Sequence, residues 1–411
     1  MKRKLRLITI LMAVLFTFSA CAGAKGGGIN EETLDFTTRS VEIDICDPIV
    51  RNYLDATDYE TEFAALKVMT GSNKDVQVAK VTVKVQKDAP KPYSFVISSE
   101  ADFAQFTATE IEIDGTADEQ GYIQVVYDVE KSLIPGNEYF WKVTDKDGKT
   151  ADYGKICVKD APVRFVNIDN IRNVRDIGGW TAENGKKVAY GLIYRGTRLN
   201  GYSDGRMLLS DAGKAKMRDE LGMMTEIDLR ANDDSTGIDN TVQKKCFFGE
   251  TVKAKNDRNY LKCAIGQYDH ITGYQSCVYL KQIFSYFAKE SNYPIYMHCN
   301  SGADRTGTVA FLLNGLLGVS FEDLTRDFEL TSTFSVRWRS TGAESFEGTE
   351  ANKSGLFQSD DGNYINWGKL YTDMMEFSKN GTLQNGIENF LKERAEITDE
   401  QIARIKSILL K

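Results

Sequence analysis

The chain has 411 residues and a formal net charge of −8, with 51 Lys and Arg against 59 Asp and Glu. That acidic balance excludes a general nucleic-acid binder, which needs a basic face, and the length suggests two domains of ordinary globular composition. With His270 and His298 as the only histidines and no C-x-x-C pair among seven cysteines, no metal site or cofactor is expected.

Residues 1–20 open with Lys2, Arg3, Lys4 and Arg6, run apolar over 7–18 and end in Ser19-Ala20 ahead of Cys21. This is the pattern of a secretory signal peptide, too short for a membrane span. Phe18-Ser19-Ala20-Cys21 resembles a bacterial lipobox, with Phe18 in place of the usual Leu. The likeness implies cleavage before Cys21, lipidation of that cysteine, and anchoring to a membrane of a bacterial cell envelope. Ala22-Gly23-Ala24 offers an ordinary signal-peptidase site instead. Loss of residues 1–20 takes the charge from −8 to −12. Residues 21–36, Gly-rich over 22–28, are expected to form a flexible tether.

From 37 to 160 the pattern is β. Runs at 41–46, 76–85, 93–97, 111–113, 122–129 and 138–143 alternate between turns rich in Asp, Gly, Asn and Pro. Val81, Val83 and Val85 on one face, against Lys80, Thr82 and Lys84 on the other, give the clearest period of two. Residues 133–143 (Leu-Ile-Pro-Gly-Asn-Glu-Tyr-Phe-Trp-Lys-Val) look like the penultimate-strand region of an immunoglobulin or fibronectin type III sandwich. An all-β sandwich over 37–160 is expected, with Tyr139 and Trp141 as corner and core residues. It shows no catalytic constellation and reads as a spacer in preference to a binding module. Cys46 and Cys157 stand where a bridge between first and last strands is conceivable, and spacing alone leaves it open.

After a link at 159–163, a second domain spans 164–411. It carries Asn173-Val-Arg-Asp-Ile-Gly-Gly-Trp180, then Leu192-Ile-Tyr-Arg-Gly-Thr-Arg-Leu199, a helical segment near 210–221, and a strand at 223–230 containing Asp228 and Arg230. Taken singly, such Arg-Asp pairs are ordinary surface ion pairs. Residues 294–298 then form a short apolar strand, and Val309, Leu312, Leu313, Leu316 and Leu317 repeat at helical spacing up to Gly318. Between them lies Cys299-Asn-Ser-Gly-Ala-Asp-Arg305.

A loop feeding a helix N-terminus turns successive N–H groups on one point, and the helix dipole adds positive potential there. Asn300, Ser301, Gly302, Ala303 and Thr306 are therefore candidate phosphate-binding residues. Arg305 is suited to fork two N–H donors onto two phosphate oxygens. The same field stabilises a thiolate at Cys299, placed for in-line attack and a phosphocysteine intermediate. Thr306 is a candidate donor to the sulfur, and Gly302 allows close backbone approach. Asp304 is the candidate acid for the departing oxygen.

His298-Cys-x-x-Gly-x-Asp-Arg-Thr-Gly307 resembles the loop of bacterial cysteine-dependent phosphatases of the tyrosine-phosphatase superfamily. The blocks at 173–179, 194–195 and 227–230 match others of that family in the same order, so the resemblance covers roughly 165–330. It implies an α/β fold with its site at the carboxyl end of a central strand. It also implies that Asp176, Arg195 and Arg230 support the pocket without joining the chemistry. Two departures stand out. The family's loop Lys, associated with phosphoinositides, is Ala303 here, which puts lipid dephosphorylation in doubt. Gly196-Thr197 stands where Ser-Gly is common. Related enzymes place the acid either in the loop, matching Asp304, or on a loop some thirty residues upstream, where Asp269 stands; Asp304 is preferred.

Ser320-Phe-Glu-Asp323 forms a capping-box start for a helix to about 330. Residues 331–368 make a long polar segment suited to a lid or rim, with Arg337 and Arg339 as candidate phosphate contacts. Helices are expected at 371–377, 383–391 and 398–410, the last capped by Thr398 and Gln401. The expected whole is an exported, lipid-anchored phosphatase whose leading substrate is protein phosphotyrosine. An inositol phosphate or other small phosphomonoester is the rival within the same chemistry. A phosphate-binding pseudoenzyme or surface adhesin is the reading from another class.

Overall fold

The computed structural model describes residues 40–69, 80–86, 93–103, 108–113, 122–128, 133–202, 205–231, 245–249, 258–334, 356–358 and 364–411. The signal peptide, Cys21, the tether, Arg337 and Arg339 lie outside the described residues. The chain divides into two compact units, Met1–Ile45 with Val78–Ala161, and Cys46–Gln77 with Pro162–Lys411.

In the first unit, β1 (Ser40–Ile43), β7 (Thr150–Val158), β6 (Glu138–Thr144), β3 (Tyr93–Ser98) and β4 (Ala108–Ile113) form one sheet in that order. The first strand runs parallel to β7 and the other pairs are antiparallel. A second pair joins β2 (Lys80–Gln86) to β5 (Tyr122–Asp128). Along β6 the buried positions alternate, Tyr139, Trp141 and Val143 pointing inward, as the pleat requires.

Strand is not continuous through 37–160. Two helices, α1 (Pro48–Leu54) and α2 (Tyr59–Met69), follow β1 and belong to the second unit. Asp47 caps α1 by accepting the Ile49 N–H, with Pro48 at the first helical position where its missing donor costs nothing. Asp58 accepts the Thr61 N–H ahead of α2. All six described cysteines are free thiols, so Cys46 and Cys157 form no bridge.

The second unit is α/β. Its six-stranded sheet runs β12 (Asn259–Lys262), β11 (Thr225–Asp228), β13 (Ile295–His298), β10 (Ile193–Gly196), β9 (Arg175–Asp176) and β8 (Arg164–Phe165). The first four are mutually parallel; β9 runs antiparallel to β10, and β8 antiparallel to β9. Around it lie α3 (Asp211–Ala215), continued by a π-helical turn, α4 (Tyr274–Phe287), α5 (Asp304–Leu316), α6 (Phe321–Glu329), α7 (Trp367–Glu376), α8 (Leu383–Ala395) and α9 (Asp399–Leu409). Thr398 and Gln401 make the expected capping box. Within 331–368 the described pieces are a 3-10 turn at Leu330–Phe334 and a small hairpin of β14 (Leu356–Gln358) and β15 (Tyr364–Asn366).

Every residue of β13 is buried, as in parallel sheets covered on both faces. Helix α5 is buried from Thr306 through Leu316, so it is a core helix with no solvent stripe. It ends at Leu317, and Gly318 takes the left-handed conformation (φ +91°) that stops a helix cheaply. Strand and core helix together fix the loop between them from both sides.

Candidate active site

Cys299 follows directly on β13, whose neighbours β10 and β11 both run parallel to it. It is 4 % exposed, a free thiol. The six residues after it are shaped by what holds their carbonyls. Arg198 donates its backbone N–H to Asn300 O at 3.1 Å. Asn173 Nδ2 donates to Ser301 O at 3.0 Å, and Arg195 Nη2 to Gly302 O at 2.8 Å. Three successive carbonyls are thus turned outward. The N–H groups of Ser301, Gly302, Ala303 and Arg305 have no hydrogen-bond partner among the described residues. Outward carbonyls with unpartnered amides are the signature of an anion nest, and the N-terminus of α5 adds its dipole.

Gly302 makes this turn possible. Its φ is +68°, and a Cβ there would lie 2.2 Å from Gly196 O. Contact that close with the β10 backbone admits no side chain.

The arginines around the loop divide sharply. Arg175 and Arg195, both fully buried, share the Asp327 carboxylate at 2.9 and 2.5 Å. Arg175 also donates to Asn173 Oδ1, so one carboxylate on α6 orients two of the groups that grip the loop. Although burial raises the Asp327 carboxyl, Arg175 and Arg195 hold it below the usual carboxylate range. Burial and the adjacent Arg195 bring Arg175 down to about 10. Arg164 is taken by Asp176 at 3.1 Å, and Arg230 by Asp228 through Nε at 2.8 Å and Nη2 at 2.7 Å. Arg305 is different. Half-buried on the first turn of α5, its guanidinium has no ion pair or hydrogen bond among the described residues.

Beneath the cysteine, His298 is fully buried, its Nδ1 3.1 Å from Cys299 O and its Nε2 3.0 Å from Glu226 Oε1. Both nitrogens face oxygen atoms of the chain. Asp228 lies 4.0 Å from Nδ1. Burial raises its carboxyl, but His298, Arg230 and Lys262 together hold it well below the usual range.

The sequence-predicted residues fall into place unevenly. Asn300, Ser301, Gly302 and Ala303 form the nest, and Ala303 is fully buried, so no loop cation stands at the family's Lys position. Asp304 opens α5, half-buried, and accepts a hydrogen bond from Tyr268 Oη at 2.5 Å. Thr306 is buried and its hydroxyl has no partner among the described residues; the expected hydrogen bond to the Cys299 sulfur is not made. Asp269, beside Tyr268, makes no side-chain hydrogen bond to the loop among the described residues, and its charge acts on Lys369. Arg195 grips the loop directly. Arg230 pairs with Asp228, which lies 4.0 Å from His298 on the strand ahead of the loop, whereas Asp176 holds Arg164 and the N–H groups of Gly178 and Gly191, away from the loop. Asn173, Asp327, Glu226 and Tyr268 were not singled out by sequence reasoning. Asn173 lay within a matched block; Asp327, Glu226 and Tyr268 carried no local signal.

A family model described as the tyrosine phosphatase family matches residues 166–411. The chain belongs to that family. The cysteine, the arginine and the nest therefore sit in a cysteine-dependent phosphatase domain. Among curated proteins none matches. Among solved structures, the core catalytic domain of the PP-IP phosphatase SIW14 from S. cerevisiae, in complex with citrate, is similar at 14% identity with a TM-score of 0.26. The match covers 42% of this chain and 88% of that one, a likeness too slight to transfer a substrate.

Proposed function

We propose that the protein hydrolyses phosphotyrosine in proteins or peptides through a phosphocysteine on Cys299, as an exported enzyme lipid-anchored at Cys21. The observation that carries the chemistry is a set of donors around Cys299 that have no partner among the described residues: the loop amides and the Arg305 guanidinium. In the first step the Cys299 thiolate attacks phosphorus, the bond to the leaving oxygen breaks, and Asp304 gives that oxygen its proton. In the second, water attacks phosphorus, Asp304 takes a proton from it, and the S–P bond breaks to release phosphate and thiolate. Amides and Arg305 stabilise the equatorial oxygens throughout.

Among the described residues of the loop, Arg305 is an uncommitted cation, which suits a single phosphoryl group. Among the described residues, Ala303 stands at the family's Lys position and Lys262 is tied to Asp228 at 2.8 Å, so neither adds free positive charge for a polyphosphorylated ring. That favours phosphotyrosine over inositol phosphates.

An immunoglobulin-like reading of the first unit is supported by its first strand running parallel to the last and by the separate β2–β5 pair. It is also supported by Tyr139 Oη accepting the Ile134 N–H at 2.9 Å, as in a tyrosine corner. Export and lipidation rest on residues 1–21 of the sequence alone.

The test is a panel of phosphotyrosine and phosphoserine peptides and inositol phosphates, without added metal, run beside Cys299→Ser. Phosphotyrosine turnover that is blocked by vanadate and lost in the variant is expected. Preference for an inositol phosphate would overturn the substrate, and undiminished turnover in Cys299→Ser the mechanism. Lipid labelling of wild type but not Cys21→Ala checks the anchor.

A further inference from the structure

Tyr268 opens the 3-10 turn Tyr268–Thr272 with φ +51°, a left-handed conformation that a tyrosine seldom adopts. Such strain persists only where the surroundings over-determine it, and here they do. The Tyr268 N–H donates to Thr308 Oγ1 at 2.9 Å, and that hydroxyl donates to Asp304 O at 2.9 Å. The Tyr268 hydroxyl donates to Asp304 Oδ1 at 2.5 Å. Its ring stands edge-on to Phe328 and Trp367, with centroids 6.1 and 6.3 Å away. At the start of the turn, a Cβ on Gly266 would lie 2.6 Å from His270 O, so the bend is as tight as glycine permits. Backbone and side chain of one tyrosine are thus both tied to the first turn of the helix that carries Asp304 and Arg305.

We propose that Tyr268 is a positioning residue for the acid: its hydroxyl, donated to Asp304 Oδ1, holds in place the carboxyl that passes its proton to the leaving oxygen. The inference rests on the reading of Asp304 as that acid. When the proton leaves with the departing oxygen, the carboxylate keeps the Tyr268 hydrogen bond, now charge-assisted and stronger. The same bond holds the carboxylate in place to receive a proton from water in the second step. A hydroxyl that favours the ionised carboxylate also sets how readily the acid gives up its proton.

The test compares Tyr268→Phe and Asp304→Asn in the full chain, using aryl phosphates of graded leaving-group quality across pH. In Tyr268→Phe the carboxylate loses a charge-assisted hydrogen bond, so the basic limb of the rate profile should move up by about one pH unit. Turnover of phosphates with poor leaving groups should fall about tenfold, with p-nitrophenyl phosphate little affected. A purely structural tyrosine would lower all rates alike and leave the limb where it was; that result overturns the proposal. If Asp304→Asn keeps both the limb and the leaving-group dependence, the acid reading itself is wrong and the role of Tyr268 falls with it. If Asp304→Asn loses both while Tyr268→Phe matches wild type, only the Tyr268 inference fails. Should Tyr268→Phe not fold, 3-fluorotyrosine at 268 keeps the ring and makes the hydroxyl a stronger donor. The limb should then move to lower pH, and an unmoved limb overturns the inference.

Discussion

Tyr53, on the first helix after β1, donates its hydroxyl to Glu329 Oε2 at 2.7 Å, across 276 residues of sequence. Both are buried, and Glu62 on α2 joins them, one of its carboxylate oxygens buried without a partner. The cation shared by this cluster is Arg326, 3.4 Å from Glu62 and 3.0 Å from Glu322. Helix α6 therefore works on two sides. Arg326 and Glu329 hold the α1–α2 hairpin, while Asp327 between them holds Arg195, which grips Gly302 O, and Arg175, which orients Asn173. The hairpin braces the helix that braces the site.

This cluster predicts a pH dependence of stability. Burial, and then the neighbouring Glu329, push the Glu62 carboxyl from its ordinary 4.5 up to about 7, with Arg326 pulling the other way. A carboxyl raised on folding gives stability that is complete below its unfolded value and is lost as pH rises to about 7. The full effect is about 3 kcal/mol. Glu62→Gln removes the ionisation, so in urea unfolding it should match wild type near pH 4.5 and exceed it above pH 8. A difference that does not change with pH would refute this. Asp228 has the opposite sign: held low by its cations, it destabilises only when pH falls into the acid range.

Asp327→Asn should be among the most damaging conservative changes in the second unit. It leaves Arg175 and Arg195 buried with no carboxylate between them, and breaking such a network costs about 3–5 kcal/mol. Because Arg195 also grips Gly302 O, activity should fall even at temperatures where the variant stays folded. Thermal unfolding and turnover measured together check both effects; a stable variant with lowered activity would separate the loop's geometry from the fold's stability.

How much of this could be read beforehand follows from what local sequence encodes. The strand–loop–helix around Cys299 was legible because an apolar run, a glycine-containing turn and a three-four repeat are all local signals. Its buried setting was not, since α5 packs on every side and a helix pattern does not report that. The α1–α2 hairpin was missed even though Asp47-Pro48 and Asp58 are good helix starts, because the alternation on either side was extended across it. Tyr268 and Asp327 act across long chain separations, 36 residues to Asp304 and 152 to Arg175. Nothing in their own neighbourhoods marks them. The matched blocks pointed to Arg195 and Arg230 but gave Asp176 the same standing, and only geometry separates it from the loop.

Arg305→Lys keeps the charge and should still lose turnover by about a hundredfold or more, because an ammonium cannot present two N–H donors in one plane to two phosphate oxygens. Since Arg305 is committed to no carboxylate in the described structure, the substitution should leave the unfolding midpoint nearly unchanged. Steady-state kinetics with circular dichroism melting decides it. A near-wild-type rate would remove Arg305 from the role of phosphate clamp.

Gly302→Ala isolates the shape of the nest from its charge. The substitution adds one methyl group at φ +68°, where a side chain costs about 1–2 kcal/mol, and that methyl would also lie 2.2 Å from Gly196 O and 2.4 Å from Gly196 C. Both are backbone atoms of β10, which cannot swing aside as a side chain would, so the loop must move and its amides lose their common focus. Gly185→Ala is the matched control: its φ is +79°, with nothing within 4 Å of the added Cβ. Both variants should lose comparable stability from backbone strain, but only Gly302→Ala should lose phosphate or vanadate affinity and turnover, by tenfold or more on the order of one displaced donor. Equal activity in the two variants would mean that the loop tolerates the shift, and that its amides do not need the register fixed by Gly196.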